Sequence, residues 1–214
     1  KQAASEFADY VQKLADVRKS KPGEDLITDL VRVEEQGERL NAHELIATCV
    51  LLLNAGHEAS VNGFGNGMVA LLEREDQFDL LKERPDQLAP MAVEEFLRFD
   101  APLHLFERTA TADTEIGGVA IKAGQKIAAL LGSANRDETH FEKSNQMDIT
   151  RDPNPHIGFG AGIHFCLGGP LARLEMGIAL PRFVKAFPNL HLTSQPVRRP
   201  TFVLRGYEKV AVSA

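Results

Sequence analysis

Cys166 is the residue whose setting points most directly to chemistry. It lies in the run Phe159-Gly160-Ala161-Gly162-Ile163-His164-Phe165-Cys166-Leu167-Gly168, at the end of a long aperiodic stretch and just ahead of a helical pattern opened by Pro170. A cysteine binds a metal only as the thiolate, and the positive potential and free N–H groups of a helix N-terminus favour that form. Gly160, Gly162 and Gly168 let the backbone fold closely round the sulfur, so that amide N–H groups can point at it and tune a bound metal. Phe159 and Phe165 can wall the site from solvent. The same residues also suit a small buried hydrophobe. A zinc site needs more ligands than His164 and Cys166, and no CxxC occurs. The two-residue spacing is wrong for a Cys–His nucleophile and base. The glycines lack the third member of a dinucleotide fingerprint, Phe165 standing in its place.

Two further constellations carry charge where it must be explained. Ala55-Gly56-His57-Glu58-Ala59-Ser60 falls in the middle of a long apolar helical pattern, where a carboxylate is costly unless paired or hydrated. His57 has no second histidine four residues on and reads as a hydrogen-bonded core side chain. In Glu94-Glu95-Phe96-Leu97-Arg98, Glu95 and Arg98 are three apart and share a helix face.

The elements that must position these residues are mostly helical. Phe7, Tyr10, Val11, Leu14 and Val17 keep helical spacing up to Ser20-Lys21-Pro22-Gly23. Residues 25–33 predict a short helix closed by Gly37. Asn41 and Glu44 form a capping-box pair opening a helix over 42–75, apolar round most of its middle and so expected to cross the core. Helices follow over 76–82, 88–98 and 171–187. Between them, residues 104–131 alternate as strands, with Gly117-Gly118 and Ala123-Gly124 as hairpin turns. Residues 135–165 carry no period, and loops of that length are usually functional. Short strands are expected at 190–192, 202–204 and 210–212. The fold class is mainly α with a smaller antiparallel β part.

Composition narrows the function. With 24 Lys and Arg against 30 Asp and Glu, the net charge is −6, and no basic run suggests nucleic-acid binding. Two distant cysteines, Cys49 and Cys166, argue for a reducing compartment rather than a disulfide framework. The start lacks a signal-peptide core and the longest apolar stretch, 47–55, is too short to span a bilayer, so a cytoplasmic protein with no membrane contact is expected. The chain begins without Met and inside a helical pattern, as a fragment would.

Residues 159–168 match the haem-binding signature F-G-x-G-x-H-x-C-x-G at every specified position, and on this the chain resembles the cytochrome P450 family, in its soluble bacterial form. The resemblance implies the C-terminal portion of that fold over residues 1–214: long central helix, E-x-x-R helix, meander, cysteine loop and following helix, with the N-terminal half absent. It implies haem b iron held by Cys166, with His164 and Arg108 on the haem propionates. A guanidinium suits a propionate because its planar donor fork matches the carboxylate. Phe159, Gly160, Ala55 and Gly56 would lie against the haem. Glu95-x-x-Arg98 would join Arg151 of the meander behind it, as structural rather than catalytic residues. Ala55-Gly56-x-Glu58 matches the family's A-G-x-[DE]-T, but Ala59 replaces the threonine. Glu58 and Ser60 are then the proton-relay candidates, although one helical step turns Ser60 by about 100° from that position. The implied activity is monooxygenation of a small hydrophobic organic substrate with O2. Electrons would come from a ferredoxin-type partner and its NAD(P)H-dependent reductase. Substrate contacts would include Ala55, Leu103, Leu105, Phe202 and Val203, and Lys143, Arg173 and Arg182 are candidates for a docking face. The alternatives are a truncated, non-catalytic chain with weak or no haem binding, and a variant that uses peroxide.

Overall fold

The structure, a computed structural model, describes residues 2–35 and 40–214 and separates into two compact units, residues 1–58 and 59–214. Gly37, expected to close the second helix, lies outside the described residues.

In the first unit, α1 (Gln2–Ser20) and α2 (Leu26–Glu35) pack with the beginning of α3 (Ala42–Leu72) around Val11, Ala15, Val31 and Leu45. Asp25 starts α2 by accepting the Thr28 N–H at 2.9 Å, and this bond leads the causes that hold its carboxyl below the usual range. The capping box of α3 forms as its sequence predicts. Asn41 Oδ1 accepts from the N–H groups of His43 and Glu44 at 3.0 and 3.1 Å, and Glu44 returns to the Asn41 N–H at 2.7 Å. The helix ends at Leu72, three residues before the expected Glu75, where a turn separates it from α4.

The apolar middle of α3 is not buried. Residues 51–58 are exposed throughout, with Leu51 at 65%. His57 is therefore no core histidine, and the apolar pattern here finds no cover among the described residues.

The second unit continues α3 into α4 (Glu75–Glu83), α5 (Pro85–Phe99) and α7 (Gly169–Ala186). Met68, Leu71, Leu81, Val93, Phe96, Ile149, Met176 and Leu180 are among the residues of its core. The β part departs from simple hairpins. β2 (Thr114–Ile116) and β3 (Val119–Ile121) do pair across Gly117-Gly118, whose φ of 59° and 80° suit the twisted two-residue turn. After Ala123-Gly124, however, β4 (Lys126–Ala129) pairs with β1 (Phe106–Thr109) and not with β3. Asp113 explains the change: it accepts from Lys122 Nζ at 2.7 Å and the Ala123 N–H at 2.9 Å, turning the chain back beside β1.

The short helix α6 (Leu131–Ala134) follows, and residues 135–161 contain neither helix nor strand. At the C-terminal end, β5 (His191–Leu192) pairs with β8 (Val212–Ser213), and β6 (Val197–Arg198) with β7 (Tyr207–Lys209). Residues 202–204 form no strand: their pairing with residues 103 and 104 amounts to a single antiparallel bridge, Leu103 to Leu204, and one bond from the His104 N–H to the Val203 carbonyl at 2.9 Å.

Candidate functional site

The cysteine loop folds on its own backbone. Phe159 O accepts the Cys166 N–H at 2.9 Å, tying the first residue of the signature to the sulfur-bearing one. Between them Gly160 and Gly162 take φ of 72° and 64°, the left-handed region that side chains disfavour, and a single 3-10 turn spans Gly162–His164. Gly168 lies beside the sulfur, a Cβ built there standing 4.0 Å from Cys166 Sγ, without a left-handed φ. Its φ is −82° and it is the N-cap of α7, with its carbonyl accepting the Ala172 N–H at 2.9 Å. Cys166 is half-buried, His164 exposed, and the Phe159 and Phe165 rings meet at 6.2 Å. Ile163 and Leu167, on either side of the cysteine in sequence, are 99% and 89% exposed.

Behind the loop, α5 presents a buried charge centre. Arg98 and Glu95 are both fully enclosed and joined through two bonds of 2.7 Å, Nε to Oε2 and Nη2 to Oε1. Arg98 also donates to the carbonyls of Asn135 and Ser144 at 2.8 Å and Gln146 at 3.1 Å, which occupies all the donors of a guanidinium. Glu95 accepts in addition from the Asp148 N–H at 2.9 Å and Asn154 Nδ2 at 3.1 Å, with Arg151 Nε at 3.3 Å. The sequence places Glu95, Arg98 and Arg151 as partners, and the structure brings them together. Next to this centre, Arg136 bonds the Phe99 carbonyl, and burial, with Arg98 close by, lowers its pKa to about 10.

A second cluster escapes the sequence reading. Glu94 accepts from Arg173 Nε at 2.6 Å and Nη2 at 2.9 Å, and its Oε2 lies 2.8 Å from His156 Nε2. Burial alone would raise the Glu94 carboxyl, but the bonds to His156 and Arg173 outweigh it and bring the pKa down to about 2. Arg173 is thus held in a bidentate pair rather than offered as a docking cation. Only the sequence spacing of Glu94 and Glu95 hinted at it: adjacent helical residues face about 100° apart and so serve different partners.

The remaining candidates lie on other elements. Arg108 lies exposed on β1, donating to the Glu107 carbonyl at 2.9 Å with its guanidinium 5.4 Å over Phe106. Ala55, Gly56 and Glu58 are exposed on the first unit's part of α3, and Ser60 follows in the same unbroken helix, which keeps it turned away from the direction of Ala59. Leu103 bridges Leu204, and the His104 N–H reaches the Val203 carbonyl at 2.9 Å, so two candidate substrate segments run side by side.

The donor set fits a haem. Among the described residues no group of three or more His, Cys, Asp or Glu could hold a bare metal ion. One sulfur, flanked by exposed apolar side chains, suits instead a metal that brings its other ligands in a flat apolar macrocycle.

A family model described as Cytochrome P450 matches residues 1–208. The polyketide biosynthesis cytochrome P450 PksS of Bacillus subtilis (strain 168) is 44% identical over 216 residues, covering 99% of this chain and 53% of that protein. Its solved structure superposes with a TM-score of 0.94, covering 99% of this chain and 55% of that one. The 6-deoxyerythronolide B hydroxylase of Saccharopolyspora erythraea is 41% identical over 215 residues, 99% of this chain and 53% of that protein. P450BioI, solved in complex with an acyl carrier protein ligated to hexadec-9Z-enoic acid, gives a TM-score of 0.92 at 40% identity, covering 98% of this chain and 53% of that one. The chain belongs to the cytochrome P450 family, and it spans about half the length of the curated relatives it matches.

Proposed function

We propose that this chain is the C-terminal, haem-binding part, residues 1–214, of a cytoplasmic haem-thiolate monooxygenase, with Cys166 as the ligand to iron. The observation that carries the reading is the half-buried Cys166 just before α7, in a loop whose two left-handed glycines and Phe159–Cys166 bond accord with the signature. Bound haem supplies activation of O2 and transfer of one oxygen atom to a small hydrophobic organic substrate.

The chain's own residues divide the remaining work. His164 would donate a hydrogen bond to a haem propionate and Arg108 its guanidinium fork, with Phe159 and Gly160 against the cofactor. Ala55 and Gly56, small side chains in α3, would contact the cofactor or a small ligand bound to it. Glu58, with Ser60, would relay protons; Ala55, Leu103, Leu105, Phe202 and Val203 would contact substrate. Electrons come from a ferredoxin-type protein and its NAD(P)H-dependent reductase, and no nucleic acid or membrane takes part. No helix of the described residues is long and apolar enough to cross a membrane.

The test is the reduced carbon monoxide spectrum of the purified, haem-supplied chain. The red-shifted band of thiolate ligation is expected, and Cys166→Ser should abolish it. A colourless protein would favour the alternative, a chain that keeps this part of the fold with weak or no haem binding. A second reading has support in Ala59 and in the unbroken α3, which leaves Ser60 on another face from the family's threonine. On that reading the enzyme uses peroxide, and product formed with peroxide but no redox partner is its expected outcome.

A further inference from the structure

The Glu94–His156–Arg173 cluster has no part in the charge centre around Glu95, yet it joins α5, the end of the irregular stretch and α7 at one point. His156 is almost completely enclosed, with its ring side chain 2% exposed. Its Nδ1 accepts the Gly158 N–H at 3.1 Å, so the ring proton sits on Nε2 and is donated to Glu94 Oε2 at 2.8 Å. The carboxylate thereby selects the tautomer whose other nitrogen can hold Gly158. The next residue is Phe159, whose carbonyl accepts the Cys166 N–H at 2.9 Å. Its ring has two groups of the cluster as neighbours: Arg173 Cζ lies 4.6 Å from the Phe159 centroid, and the His156 ring 6.2 Å away. Glu94 engages the Nε and Nη2 edge of Arg173 and so holds the guanidinium at that ring. A Cβ on Gly158 would meet the Leu97 carbonyl at 2.9 Å and His156 Nδ1 at 3.1 Å, so the backbone here is pressed against both helix and imidazole.

We propose that Glu94, His156 and Arg173 are positioning residues for Cys166: through Gly158 and Phe159 they set the height and orientation of the loop that carries the sulfur. The inference rests on the reading of Cys166 as the iron ligand for its spectroscopic consequence, but not for its backbone consequence.

The two can be separated by amide hydrogen exchange on the full chain without haem, followed by the reduced carbon monoxide spectrum with it. Asn in place of His156 retains an acceptor near the Nδ1 position, whereas Gln retains a donor near the Nε2 position. His156→Gln should therefore speed exchange of the Gly158 and Cys166 amides by about fivefold to tenfold, the factor one lost hydrogen bond carries. His156→Asn should change the Gly158 amide little, and Glu94→Gln, which leaves Arg173 without its charge partner, should free the Cys166 amide. With haem, the fraction of thiolate band should fall in the order wild type, His156→Asn, His156→Gln. Cys166 protection unchanged in both His156→Gln and Glu94→Gln would overturn the proposal. So would a uniform loss of protection across α5 and α7, which assigns the cluster to fold stability alone. If wild type shows no thiolate band, the ligand assignment fails while the exchange result still decides the positioning role.

Discussion

Residues 135–161 and the four strands β1 to β4 invert what their secondary structure suggests. The strands are regular, yet every strand position is exposed except the half-buried Ile121 and Ile127. The irregular stretch buries Asn135, Phe141, Ser144, Met147 and Ile149, and hands the carbonyls of Asn135, Ser144 and Gln146 to Arg98. A chain without a ladder must satisfy its buried backbone elsewhere, and here one guanidinium does so for three carbonyls. Anchoring thus follows from where the hydrogen bonds end, and the ladders, bonded only to themselves, depend little on the rest of the unit.

The largest test of that contrast is Arg98→Lys. An ammonium cannot replace the fork, and Glu95 is left enclosed with unmet demand, so unfolding stability should drop by about 3–5 kcal/mol. Chemical denaturation measures it, and a loss below about 1 kcal/mol would remove the case for Arg98 as the anchor of the irregular stretch.

A smaller, pH-dependent effect belongs to Glu94. Its folded pKa is about 2 against an ordinary 4.5, so the stabilisation from its partners is complete above about pH 4.5 and is lost as the pH falls towards 2. Wild type should exceed Glu94→Gln in stability at neutral pH, and the gap should close through that window. A gap that stays constant down to pH 2 would contradict the ionic pairing.

On the strand side, Gly117→Ala forces a side chain into φ 59° and should cost about 1–2 kcal/mol, measured by thermal unfolding. The exchange of amides in 135–161 should not change with it. Smallest of all is Lys126→Ala, which removes an exposed 2.6 Å pair with Glu107 and should leave the melting temperature unchanged.

Much of this was open to reading in the sequence where the signal is local. The capping box at Asn41, the turn at Gly117-Gly118 and the cysteine loop depend on residues a few positions apart, and each forms. Glu95 and Arg98 share a face by helical spacing alone, whereas their third partner, Arg151, came from resemblance. Where the deciding contact is distant, the pattern misleads. Ala123-Gly124 looks like a hairpin turn until Asp113 turns it towards β1. Arg173 looks like a solvated helix cation because its partner Glu94 is 79 positions away. The leucines at 51–53 follow the pattern of buried helix, but burial needs a second surface, and sequence pattern states the need without supplying the cover.

The bridge between Leu103 and Leu204 has a consequence for anyone recombining this chain with its relatives. The Leu103–Leu204 pair and the bond from the His104 N–H to the Val203 carbonyl make residues 103–105 and 202–204 one backbone piece, although about a hundred positions separate them in the chain. A crossover placed between them would pair a segment from one parent with its neighbour from another. Transplanting both segments together keeps the match, so the unit of inheritance for this surface is a discontinuous pair, and libraries that vary one half alone should show strongly non-additive effects when the other half is varied too.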